Sequence, residues 1–64
     1  MKNYVAELKG EAGRIFLIAN ADTKNDARLH IEDYMRDHKD LQTIKSINRL
    51  KYLPKKYQGI LIIN

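Results

Sequence analysis

Arg14-Ile15-Phe16-Leu17-Ile18-Ala19-Asn20-Ala21, followed at once by Asp22-Thr23-Lys24-Asn25-Asp26, is the stretch that decides the fold. The first part is apolar at nearly every position. A strand of that kind needs cover on both faces, so 14–21 is expected to lie inside a sheet. Thr23 to Asp26 then has the form of a capping box, in which the Thr23 hydroxyl accepts an amide hydrogen bond at a helix start and Asp26 answers it weakly. A strand running straight into a capped helix points to a small α+β domain.

Downstream, Ala27, Ile31, Tyr34 and His38 fall within about 60° of arc on a helical wheel, with His30 and Met35 flanking them and Leu41 close in line. This stripe is the expected buried face of a helix over about 24–38, which ends in Asp37-His38-Lys39-Asp40 without a glycine to cap it. Upstream, Tyr4, Ala6 and Leu8 alternate with more polar neighbours, as in an edge strand over 4–9. Gly10-Glu11-Ala12-Gly13 supplies a hairpin connection back to the central strand.

The segment 42–53 is harder to read, because Ile44, Ile47, Leu50 and Leu53 recur every third residue. A strand with a bulge is favoured, and a short helix over 46–53, ending before Pro54, is the alternative. Pro54 to Gly59 carries turn chemistry. Ile60-Leu61-Ile62-Ile63 is a β-branched run apolar on both sides, read as a second central strand.

The expected fold is therefore a single α+β domain over 1–64. Its four-stranded antiparallel sheet is built in ββαββ order, with strands arranged 1-2-4-3 and one helix packed on one face. Strand 3 would run parallel to strand 2, and strand 4 would return between them.

A chain of 64 residues hides only about 60% of the surface that its unfolded form exposes. It has no Cys, which removes disulfides and thiolate zinc sites and fits a reducing, cytoplasmic setting. No apolar run approaches the roughly 20 residues that span a bilayer, and Met1-Lys2-Asn3-Tyr4 does not open a signal peptide. Frequent Lys, Asn and Ile, which A/T-rich codons encode, point to a bacterial or phage source. The joint from Ala19 to Thr23 is similar to the strand–helix joint of many small α+β proteins, mobile-element ones included, and defines no activity.

Charge is divided unevenly along the chain. All eight acidic residues lie in 1–40 with seven Lys or Arg, a net of −1, whereas 41–64 holds five basic residues and no acid. An acidic partner for the C-terminal part is implied.

Two candidate surfaces follow. Lys45, Arg49, Lys51, Lys55 and Lys56, interleaved with Tyr52 and Tyr57, form a basic-aromatic set able to contact phosphates and stack on bases. The plainer reading is a solubilising hairpin whose lysines keep an edge strand from pairing. The second surface comes from counting faces: one helix covers one side of a sheet whose inner strands are apolar on both. Ile15, Leu17, Ile60 and Ile62 alternate with Phe16, Ile18, Leu61 and Ile63, and the sequence leaves open which set meets the helix; the second set is the candidate interface, since an uncovered patch of this kind marks a protein contact. Cover by loops, by Tyr52 and Tyr57 or by a second helix would remove that argument.

The remaining candidates are weaker. His30 and His38 are eight positions apart, about 12 Å along a helix, too far to share one metal ion. Asp26, His30, Asp33 and Asp37 line one helix edge, and Arg28, Glu32 and Arg36 make an i,i+4 ladder on the other, which together read as a solvated face. Leu29 points out among these charges. With one Ser, no Cys and no glycine-rich phosphate loop, no catalytic, cofactor or metal residue is assigned. The expected function is a non-catalytic protein-interaction module, either a homodimer or a small accessory or inhibitor protein. The alternative is a weak, sequence-tolerant nucleic-acid binder; no membrane or small-molecule ligand is inferred.

Overall fold

β1 (Lys2–Gly10) and β2 (Gly13–Ala21) pair antiparallel from Lys2 opposite Ala21 to Gly10 opposite Gly13, so only Glu11 and Ala12 lie between the strands. Gly13 has φ +124°, a conformation that a residue with a Cβ avoids, and it closes this tight hairpin. We obtained the fold as a computed structural model, which describes residues 2–51 and 62–63.

α1 (Lys24–Asp37) begins as the capping signal indicates. Thr23 is extended at φ −134°, ψ 161°, and its Oγ1 accepts the Asp26 amide at 3.1 Å. The C-terminus is capped by a device that was not read from the sequence. The His38 amide donates to the Met35 carbonyl at 3.1 Å, and His38 Nδ1 lies 2.9 Å from the Tyr34 carbonyl oxygen. A carbonyl only accepts, so this nitrogen carries a proton and donates. The His38 ring stacks on Tyr34 with centroids 3.8 Å apart. The chain then enters β3 (Leu41–Leu50), and Asp40 accepts the Glu11 amide at 3.0 Å, tying this junction to the hairpin.

β3 is a strand, not a helix, and its bulges account for the three-residue spacing. Glu7 faces Ser46 but Leu8 faces Ile44, which leaves Lys45 as an extra residue. Lys9 faces Thr43 but Gly10 faces Leu41, which leaves Gln42 extra. Each added residue restores the side-chain direction after three positions instead of two, so Leu41, Ile44 and Ile47 all reach the helix side.

The expected strand order 1-2-4-3 is overturned. The sheet is mixed and runs β3-β1-β2-β4, with β3 antiparallel to β1 and β4 (Ile62–Ile63) parallel to β2. β3 does run parallel to β2, as expected, but with β1 between them. β1 is thus an inner strand and not an edge. Its Tyr4, Val5, Ala6 and Leu8 are all buried, which an edge strand with one solvated side would not achieve. The end run, read as central, supplies an outer strand at 62–63, where Ile62 is 42% exposed.

The core lies between sheet and helix. Tyr4, Ala6, Leu8, Leu17, Ala19 and Ala21 present one sheet face to Ala27 and Ile31, with Tyr34 and Met35 packed at its margin. The small residues Ala6, Ala19, Ala21 and Ala27 let the helix approach closely. Leu8 and Ile31 are fully enclosed, and burying a side chain of this size contributes about 1.5–3 kcal/mol.

Candidate interaction surface

β3 is the edge of the sheet. Among the described residues its inner side pairs along β1 from Asn3 to Gly10, and no strand lies on its outer side. An edge of this length presents a row of main-chain donors and acceptors to whatever approaches. Lys45 and Arg49 project from the strand, Lys51 follows it, and all three are exposed. They lie along one margin of the molecule, with the neutral side chains Thr43, Ser46 and Asn48 between and beside them.

Lys45, at its bulge, also lines a depression of about 450 Å³ with Glu7, Lys9, Glu11 and Arg14 at the hairpin end. The charges there are mixed. Arg14 lies 3.9 Å from Glu7 and 5.9 Å from the Phe16 ring centroid, and an exposed pair of this kind contributes little. The arrangement is a partly neutralised groove, not a concentrated cationic pocket.

The structure separates the residues first grouped as an apolar interface. Phe16 and Ile18 lie on the sheet face away from the helix, whereas Ile63, opposite Ala19, packs into the helix-side cluster. Leu61 lies outside the described residues. Ile18 is 0% exposed and its neighbour Val5 7%, so the centre of the far face is shielded within one chain. Phe16 is half-buried. Exposed large apolar side chains among the described residues are Leu29 and Ile62, far apart in sequence and on different layers.

Of the basic-aromatic set, Lys45, Arg49 and Lys51 lie on or beside the β3 edge, and Tyr52, Lys55, Lys56 and Tyr57 fall outside the described residues. On α1, Arg36 bonds Asp33 at 3.1 Å in place of the expected rung to Glu32. His30 is half-buried, and His38 serves the helix end. No group of three or more His, Cys, Asp or Glu is close enough to hold a metal ion among the described residues. No described helix is long and apolar enough to cross a membrane.

The expected order 1-2-4-3 also makes the third strand an edge, and the basic, acid-free composition of 41–51 is plain in the sequence; what differs is the strand behind it, which is β1 and not the last strand. Compared with known proteins, the chain matches no family model, no curated protein and no solved structure.

Proposed function

We propose that this chain is a non-catalytic protein-interaction module that engages its partner along the β3 edge. One observation carries the reading: a ten-residue edge strand whose outer side meets no other strand among the described residues. Strand addition at such an edge draws its affinity from main-chain hydrogen bonds and its selectivity from side chains on either face. The sheet behind β3 is rigid enough to serve, because β1 is hydrogen-bonded on both sides and buried.

The test is a titration of isotope-labelled protein, followed by amide chemical shifts. A short capped peptide of alternating Val and Thr is one probe and a single-stranded oligonucleotide the other. Shifts and slowed exchange confined to 41–50 with the peptide are the expected result. Shifts at Lys45, Arg49 and Lys51 with the oligonucleotide, and none with the peptide, would overturn the reading in favour of phosphate binding.

A further inference from the structure

We infer that the β3 edge takes an acidic extended segment of a different protein and turns away a second copy of this chain. The inference rests on the edge-docking reading above and adds the chemistry of the occupant. Lys45 and Arg49 belong to β3 and Lys51 follows it directly, and all three are exposed, while 41–64 contains no acid at all. The two strand residues project to different sides of the sheet. Lys45, at the bulge, lines the far-face depression, and Arg49, opposite Tyr4, lies on the helix side. An added strand would therefore meet a cation on each of its faces.

Like charges across adjacent strands are destabilising and opposite ones stabilising. A second copy laid along β3 would bring the same three cations against these three, with no carboxylate on either strand to offset them. Basic side chains on an edge are known protection against self-pairing. Here the same cations select for a strand that brings Asp or Glu.

The probes are three short capped peptides of Val and Thr that carry Glu, Gln or Lys at matching positions on both faces. With amide shifts as readout, the Glu peptide is expected to bind β3 about tenfold more tightly than the Lys peptide. Added salt should narrow the gap. The double variant Lys45→Glu, Arg49→Glu, changed only at exposed positions, should invert the order; a thermal melt confirms that it is folded. Equal affinity for all three peptides would overturn the charge inference and leave edge docking intact. If none of them shifts 41–50, both fail. An oligonucleotide that displaces the Glu peptide without protecting β3 amides would assign the cations to phosphates and also overturn the inference.

Discussion

Val5 and Ile18 stand opposite each other on β1 and β2, on the sheet face turned away from α1, and both are buried within one chain. That pair makes the far face part of the fold's own interior at its centre. Ile18→Val is expected to lower stability by about 0.5–1.5 kcal/mol, comparable to Ile31→Val on the helix side. The loss, measured by urea unfolding, should be the same at low and high protein concentration. A loss that grows on dilution would show that a second molecule buries Ile18.

The two hairpin glycines should differ in what they tolerate. A Cβ at Gly10 would come 2.7 Å from Ile15 Cδ1, the free end of a side chain that can rotate away, with the Asp40 carbonyl at 3.4 Å. A Cβ at Gly13 would meet nothing, yet its φ of +124° is itself unfavourable for an L side chain. Backbone strain of this kind costs about 1–3 kcal/mol. Gly13→Ala should therefore lower the melting temperature more than Gly10→Ala, and the reverse order would mean that the contact outweighs the dihedral.

Removing the helix cap has a defined cost. Thr23→Ala deletes the acceptor for the Asp26 amide and should destabilise the fold by about 1 kcal/mol, whereas Thr23→Ser keeps it. Denaturant midpoints of the two variants measure the difference. Equal midpoints would remove the cap from the list of stabilising features.

Lys45 has no partner on β1, so deleting it should leave Ile44 and Ile47 on the helix side in simple alternation. Deleting Ala6 from β1 would turn Leu8 out of the core, because a one-residue slip flips a strand. Circular dichroism should show the Lys45 deletion folded and the Ala6 deletion unfolded. An unfolded Lys45 deletion would mean that β3 needs its bulge for more than register.

The local elements were legible because each has a side-chain signal. Thr23 with Asp26 marks the helix start, and Ala27, Ile31 and Tyr34 mark its face. The spacing of Ile44 and Ile47 marks a bulged strand. Strand order is set mainly by main-chain pairing, and side chains report it only indirectly. Glu7 and Lys9 gave β1 the look of an edge, but they sit toward the open hairpin end of the far face, where polar groups remain solvated while the strand pairs on both sides. Ile60 to Ile63 offers no polar residue to fix its register against β2, so Ile63 was grouped with Phe16 and Ile18, whereas it is Ile62 that lies opposite Ile18. The candidate edge was legible in its charges and in its place at the margin of the sheet, and only the strand it pairs with differs from the expected one.

Light scattering behind a sizing column, run on the unmodified protein over a wide concentration series, is the most direct check on the proposal that the chain encloses its own core and that the β3 edge, unpaired on its outer side among the described residues, serves a different protein. One monomer mass at every concentration is the expected result. A mass rising to twice that value, with amide protection appearing along 41–50, would contradict it.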